Sequence, residues 1–357
     1  MTSASVQGSQ KMPLLASLPL VQGVHVILSS IIPLTAIFCC QPLVFLGIAG
    51  LPTSWWDVLV LDLGLGRLVY QGIIATFVRI WGGILALVRP TIPGTAPKWL
   101  RENCPLLGWF FFSDDPSVTV VNSCCAPENS DFFLYVNGMC STRLLALDTG
   151  RVLADMFHRD ITVVHNPTDS VMVDLFECVI GKLWTGKSWS TTVPCAWAFD
   201  EIKRALKDRK KTKVVLISHS QGTIIASDLL CRLWNDAADD KILEASIEAM
   251  EKLEMYSFAN AAQTMEQNED GYPYMESICN HRDNVGMLGA NAPDRVKKAW
   301  NIQLGGKVIY PNKIRWGHMI SSHYLKHLKA GDYSESKLHN YMSTPANASG
   351  LLAARRM

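Results

Sequence analysis

The segment that most constrains the fold of this chain runs from Val214 to Leu233. The aliphatic run Val214 to Ile217 stops at small polar residues, and apolar residues then recur at helical spacing. This pattern predicts a buried parallel strand, a sharp turn and an amphipathic helix that packs back on the sheet. Ser220 lies at the apex of the turn. Gly222 follows two residues later and lets the helix start close against the strand.

This arrangement resembles the nucleophile elbow of the α/β-hydrolase family, in which a serine is held on a strained strand-to-helix turn. Ser218 stands where that family usually has glycine. Serine is the mildest steric departure from glycine at this position. The alternative is an ordinary strand–turn–helix crossover in which Ser220 only caps the helix. Capping alone would require neither Gly222 nor a small residue at position 218.

The chain around this segment alternates between strands and helices from about Asp131 onward. Apolar strands that alternate with helices predict an α/β fold, here a doubly wound, mostly parallel sheet of the α/β-hydrolase kind. Active groups are then expected at the carboxyl ends of the strands. The predicted strands are 132–136, 161–164, 214–217, 255–258, 275–280 and 305–310. The predicted helices are 142–157, 169 to about 184, 196–207, a helix after the elbow, 239–253, and one that opens around 316–325.

Asp283 is a carboxylate just past the end of a predicted strand, where the resemblance places the acid of a catalytic triad. The chain order Ser220, Asp283, His318 is the order that the α/β-hydrolase family uses. The alternative for Asp283 is a loop carboxylate paired with its neighbour Arg282.

Two histidines are candidates for the general base. His318 follows a glycine in the loop before the last helix, so its imidazole can swing toward the nucleophile, and this position is favoured. His323 lies five residues further on, which is rather more than one helical turn, and is expected to pack or hydrogen-bond from inside the helix. His219, inside the elbow, is expected to shape the pocket.

The resemblance also implies an oxyanion hole. One donor would be the backbone amide after the nucleophile, that of Gln221, and the other would be the amide of Met139. Gly138 would be the flexible residue that lets the backbone turn its amide inward. The sequence Asn137-Gly138 fits an ordinary strand-ending turn equally well.

Several motifs together resemble a subgroup of membrane-associated, largely uncharacterised α/β-hydrolase proteins that is found mainly in fungi. The resemblance covers about residues 100–330. The motifs are Asn166-Pro167-Thr168, Ser218 to Gly222, Arg282-Asp283-Asn284-Val285 and Gly317-His318 with His323-Tyr324-Leu325.

The amino-terminal part predicts membrane association. The segment between Lys11 and Asp57 contains no charged side chain, and His25 is its only titratable one. It is longer than the ~20 apolar residues that are needed to cross a bilayer. A second apolar stretch, 68–88, carries Arg79 in its middle, so it could cross or lie along the interface. Burial as core helices is the alternative for both stretches. The predicted organisation is a membrane-anchoring helical region (1–100), a catalytic domain (101–340) and a flexible tail (341–357).

Charge and cysteine spacing give no indication of nucleic-acid binding or of a metal site. The net charge is +1, with 33 Lys and Arg against 32 Asp and Glu, so no nucleic-acid footprint is expected. The ten cysteines include no CxxC pair and no zinc-ligand spacing, and no metal or organic cofactor is predicted.

The predicted function is therefore a membrane-located serine hydrolase, with the endoplasmic reticulum as one possible site. It would cleave a carboxylic ester, a thioester or a lipid acyl bond of a lipophilic substrate. An acyltransferase or biosynthetic enzyme that uses the same triad is one alternative, and a non-catalytic binding protein that kept the fold is the other.

Overall fold

The computed structural model describes residues 92–95, 112–113, 115–123, 131–139, 141–168, 171–183, 185, 192–239 and 249–342. Both amino-terminal apolar stretches and the chain after residue 342 lie outside these ranges, so the predicted membrane region and tail stay predictions. Within the described ranges the structure contains no helix that is long and apolar enough to span a bilayer. Tyr341 and Met342, predicted to open the tail, pack against the core.

The strands in the described ranges are β1 (Ile92–Thr95), β2 (Phe112–Ser113), β3 (Ser117–Val121), β4 (Asp131–Val136), β5 (Ile161–His165), β6 (Lys213–His219), β7 (Leu253–Phe258), β8 (Thr264–Met265), β9 (Tyr274–Ile278), β10 (Gln303–Leu304) and β11 (Lys307–Ile309). A seven-stranded sheet forms the centre of the described chain, in the order β11-β9-β7-β6-β4-β5-β3. All neighbouring pairs are parallel except β3 with β5. Two further two-stranded parallel sheets pair β1 with β2 and β8 with β10.

Helices cover both faces of the central sheet. Six α-helices lie wholly within the described ranges: α1 (Arg143–Phe157), α2 (Val171–Leu183), α3 (Val193–Lys207), α4 (Gln221–Asp239), α5 (Asp294–Ala299) and α6 (Lys326–Lys329). Residues 249–252, directly before β7, are also helical. Short 3-10 helices span Gly286–Leu288 and Lys337–Tyr341, and a π-helix spans Ile320–Leu325.

Alternation along the strands divides the core into two layers. Phe133 and Tyr135 of β4 face α1, the π-helix and α6, whereas Leu134 and Val136 face α3 and α4. The sequence predicted a mostly parallel sheet with helices on both faces, and the structure confirms it. The carboxyl ends of β4, β5, β6, β7 and β9 therefore meet at one edge, where polar side chains collect.

The structure corrects several local predictions. The helix predicted from Trp316 begins only at Ile320 and is a π-helix, because Gly317 takes a left-handed backbone (φ 97°) that interrupts a helical start. The helix predicted for 239–253 ends before Leu253, which already belongs to β7, and residues 240–248 lie outside the described ranges. The antiparallel edge strand β3 was not predicted, since its valines Val118 and Val120 point to solvent rather than the core.

Candidate active site

The turn between β6 and α4 places Ser220 in a left-handed conformation, with φ of 57°. A non-glycine residue rarely adopts this region, and such strain collects at functional sites. The amide of Ser220 donates to the carbonyl of Phe258 at 3.1 Å, which ties the turn to β7. A Cβ at Gly222 would lie 2.6 Å from the carbonyl oxygen of Val136 and 2.7 Å from that of Asn137. Glycine at 222 is therefore required by the close approach of α4 to β4.

Ser218, the departure from the usual glycine, is accommodated on the other side of the turn. Its hydroxyl lies 3.1 Å from the hydroxyl of Ser257 on β7, and both side chains are buried. A hydroxyl pair of this kind satisfies both groups without contact to Ser220. A serine in place of the usual glycine is therefore tolerated at position 218, because β7 provides a hydrogen-bond partner for its hydroxyl.

Three predicted residues from distant parts of the chain meet at Ser220. The Oγ of Ser220 lies 2.8 Å from Nε2 of His318. Nδ1 of the same imidazole lies 3.0 Å from both carboxylate oxygens of Asp283. All three side chains are buried. Nδ1 can only donate to an ionised carboxylate, so Nε2 is left as the acceptor for the serine proton.

The carboxylate of Asp283 is held from several directions. Oδ1 accepts from the amides of Val285 at 2.8 Å and Gly286 at 3.2 Å, and Oδ2 accepts from the Tyr324 hydroxyl at 2.5 Å. Burial alone would raise the pKa of Asp283, but the neighbouring His318 and these hydrogen bonds outweigh it and lower that pKa. Asp283 is therefore ionised at neutral pH.

Arg282 does not serve as the partner of Asp283. Its guanidinium lies 4.2 Å from the centre of the Trp316 ring, in a cation–π contact. The same two residues form an isolated parallel bridge between their backbones. Arg282 thus anchors the loop that leads to His318.

His219 lies against His318, with ring centroids 4.7 Å apart. Its Nε2 is 2.8 Å from the backbone carbonyl of His318, which can only accept, so Nε2 carries the proton. Burial, and next the positive charge of His318, lower the pKa of His219 to about 3. His219 therefore stays neutral and holds the His318 backbone in place.

The structure does not bring His323 to Ser220 in the way it brings His318. His323 lies in the π-helix, and its Nδ1 accepts from the amide of Met319 at 2.9 Å. A Cβ at Gly317 would lie 2.4 Å from the same nitrogen, so the ring packs directly on Gly317. His323 shapes the turn that presents His318.

Gly138 lies beside the serine, as a Cβ there would come within 2.6 Å of the Ser220 Cβ and 2.9 Å of the His219 carbonyl oxygen. Gln221 is the first residue of α4, so its amide N–H has no partner within the helix. Met139 packs against Cys178, Ile224 and Ala261. The two predicted oxyanion loops are therefore neighbours of Ser220.

A network of side-chain amides joins these two loops. Asn137 and Asn166, at the ends of β4 and β5, exchange hydrogen bonds of 2.7 Å and 2.9 Å through side chain and backbone. Asn166 Nδ2 donates to Oε1 of Gln221 at 2.9 Å, and Gln221 Nε2 donates to Glu177 at 3.3 Å. This role of Asn166 was missed from the sequence, although its place after a buried strand could have indicated it.

Asn280 and Tyr324 were missed as well. Asn280 donates through Nδ2 to the carbonyls of Gly317 at 2.9 Å and His323 at 3.1 Å. Its backbone amide donates to the Tyr324 hydroxyl at 3.1 Å. Asn280 thus connects the end of β9 to the loop that carries His318.

Among the described residues no group of three or more His, Cys, Asp or Glu is arranged to hold a metal ion.

None of the protein-family models matches the sequence, and neither does any curated protein. Among solved structures, the chain is similar to the poly(3-hydroxybutyrate) depolymerase LpqC from Bordetella parapertussis, at 12% identity and a TM-score of 0.32 over 57% of this chain and 78% of that one. It is also similar to a Trichoderma reesei cutinase bound to a phosphonate inhibitor, at 16% identity and a TM-score of 0.32 over 67% and 94% of the two chains. Such distant similarity does not bear on activity, which has to be judged from the site itself.

Proposed function

We propose that the protein is a serine hydrolase of the α/β-hydrolase kind that cleaves a carboxylic ester, a thioester or a lipid acyl bond. The observation that carries this proposal is the hydrogen-bonded series Ser220 Oγ, His318 Nε2, His318 Nδ1 and Asp283, with distances of 2.8 Å and 3.0 Å. A nucleophile, a base and an orienting acid in this geometry form the constellation used for acyl transfer.

The first chemical step is attack of Ser220 on the carbonyl carbon of the substrate. His318 Nε2 takes the serine proton as the Oγ–carbon bond forms, and Asp283 stabilises the resulting imidazolium through Nδ1–H. The amides of Gln221 and Met139 are proposed to donate to the developing oxyanion, and one such donor is worth about 3 kcal/mol of transition-state stabilisation.

The second step releases the leaving group and resolves the acyl-enzyme. His318 returns its proton to the leaving oxygen or sulfur as the bond to the carbonyl carbon breaks. A water molecule then attacks the acyl-enzyme, with His318 again as base, and regenerates Ser220. An alcohol in place of water would give acyl transfer by the same steps.

A lipophilic substrate and a membrane location complete the proposal. They are supported by the amino-terminal stretches 12–56 and 68–88, which the sequence makes apolar enough to associate with a bilayer. A substrate that partitions into lipid would then be concentrated near the anchored catalytic domain.

The proposal is tested by labelling with a fluorophosphonate probe in membranes of cells that express the full chain. We expect the unmutated protein to react, and Ser220→Ala and His318→Ala to lose the reaction. Ser334→Ala, which changes an exposed serine bonded to Asn312, is the matched control and should label normally. A folded chain that never reacts would favour the non-catalytic alternative.

The product of turnover separates hydrolysis from acyl transfer. A purified preparation is given an ester substrate in the presence of increasing concentrations of a primary alcohol. Formation of free acid at all alcohol concentrations supports the hydrolase. Exclusive formation of the new ester would identify an acyltransferase.

A further inference from the structure

A cavity of about 330 Å³ lies between α2, α3 and α4, next to the residue that follows Ser220. Four of its lining residues are Gln221, Ile224, Ile225 and Asp228 of α4. Their spacing of three, four and seven residues puts them on one face of the helix. The cavity therefore extends along about two turns of α4, roughly 10 Å, from the proposed oxyanion donor outward.

The near end of the cavity is polar. Gln221 is bonded there to Asn166 at 2.9 Å and to Glu177 at 3.3 Å, and all three side chains line the cavity. Gln221 directly follows Ser220 in the chain, so the near end of the cavity begins at the residue next to the proposed nucleophile.

The middle of the cavity is apolar. Ile224 and Ile225 of α4 and Ile180 of α2 line it. A Cβ at Gly181 would come within 2.9 Å of the Ile224 side chain, so glycine at this position keeps α2 and α4 close. An aliphatic chain is the chemical group that such a wall binds favourably, because its apolar surface is removed from water on binding.

The far end of the cavity carries a buried carboxylate. Oδ2 of Asp228 lies 3.1 Å from the thiol of Cys195, and both residues line the cavity. Burial, and next the negative charge of Asp228, raise the pKa of Cys195, so the thiol stays protonated and donates. A carboxylate has two oxygens with about four acceptor sites, so the Cys195 thiol takes only part of the acceptor capacity of Asp228. The guanidinium of Arg232 also lies near this thiol.

We propose that this cavity binds an aliphatic chain of the ester substrate, whose far end carries a hydroxyl or ammonium group that donates to Asp228. The ester carbonyl would lie at the Gln221 end. This inference rests on the proposed function, because it requires Ser220 to be the nucleophile. The chain belongs either to the acyl part or to the alcohol part of the ester, and the test below separates the two.

Binding is measured by calorimetry on Ser220→Ala, which cannot turn the ligands over. One ligand set is methyl esters of straight-chain acids, and the other is acetates of straight-chain alcohols, each ending in a methyl, a hydroxyl or an ammonium group. We expect the hydroxyl end to improve affinity by about tenfold at matched length, the usual worth of a hydrogen bond to a charged group. The set that shows this preference identifies the part of the substrate that enters the cavity.

Substitution of Asp228 tests the far end. In Ser220→Ala, the further change Asp228→Leu replaces the carboxylate by an apolar branched side chain without an acceptor and should abolish the preference for the hydroxyl end. Asp228→Asn serves as a second variant because it preserves the shape even if the leucine destabilises the fold. It should weaken binding of ammonium-ended ligands by about tenfold.

Filling the cavity tests its middle. Ile180→Trp should lower the affinity for long chains by about tenfold and shift the optimum toward shorter ones. Val120→Trp, at an exposed position on the edge strand β3, is the control and should bind normally. Equal binding in the two tryptophan variants, or no preference for the hydroxyl end in either ligand set, would overturn the inference even if Ser220 is labelled. Absence of labelling in the unmutated protein would overturn the proposed function instead.

Discussion

The hydroxyl of Tyr324 donates to Oδ2 of Asp283 at 2.5 Å, so the carboxylate that faces His318 is held from the π-helix that follows His318 itself. The same phenol accepts from the amide of Asn280 at 3.1 Å. Tyr324 thereby joins the loop after β9 to the segment after β11. The two loops that must meet for the triad to form share this one buried side chain.

Removal of this hydroxyl should weaken both the fold and the site. We expect Tyr324→Phe to lower the free energy of unfolding by about 1–3 kcal/mol, because Asp283 loses a buried donor. Turnover of an ester should fall as well, since the carboxylate is less firmly oriented. Urea titration and steady-state kinetics measure the two effects. Tyr310→Phe, which loses a bond to Asn291 at the surface, should change stability by less than about 0.5 kcal/mol.

His219 should make the protein sensitive to acid. Its pKa is about 3 in the folded chain against 6.5 for the free group, so the unfolded chain binds the proton first. The contribution of His219 to the free energy of unfolding is fully present above pH 6.5. It is lost as the pH falls toward 3, at about 1.4 kcal/mol per pH unit. We expect His219→Gln, which keeps a donor for the His318 carbonyl, to flatten the slope of unfolding free energy in that window. An unchanged slope would show that His219 binds its proton at the same pH in the folded and the unfolded chain.

Gly222 should tolerate no side chain. We expect Gly222→Ala to cost roughly 1–3 kcal/mol, because its Cβ would meet two backbone carbonyls of β4 that cannot rotate away. Labelling of Ser220 should fall in parallel, since α4 has to move. Gly305→Ala is the control, as its Cβ would meet side-chain atoms of Gln267 and Met275 at 3.0 Å, rather than backbone carbonyls, and should cost less.

Asn166 should act on the rate more than on binding. We expect Asn166→Ala to lower kcat by about tenfold with a smaller change in KM, because the oxyanion loops lose the bond that ties Gln221 to β5. Asn312→Ala, which removes a surface bond to Ser334, should leave kcat unchanged. A rise in KM at constant kcat would instead make Asn166 a contact for substrate binding.

Much of the fold could be predicted from the sequence because its strands are short apolar runs that end at polar residues. The elbow is the clearest example, since Val214 to Gly222 specifies a strand, a turn and a helix start within nine residues. The strand ends also indicated Asn137, Ser220 and Asp283 as neighbours, because parallel strands present their carboxyl ends at one edge. The edge strand β3 could not be predicted in this way, because its apolar residues Val118 and Val120 are exposed rather than buried.

The partners of these residues could not be predicted, because they depend on contacts across large sequence separations. Spacing left His318 and His323 as competitors, and only the left-handed turn at Gly317 with the π-helix behind it places His318 at Ser220. The hydrogen-bond partners of Tyr324 and Asn166 could not be read from the sequence, because each side chain bonds to a residue more than forty positions away in the chain. The sequence by itself thus determined which residues reach the active edge, through the periodicity of strands and helices. The tertiary structure decided which of them touch, because hydrogen bonds act over about 3 Å and depend on the packing of the whole core.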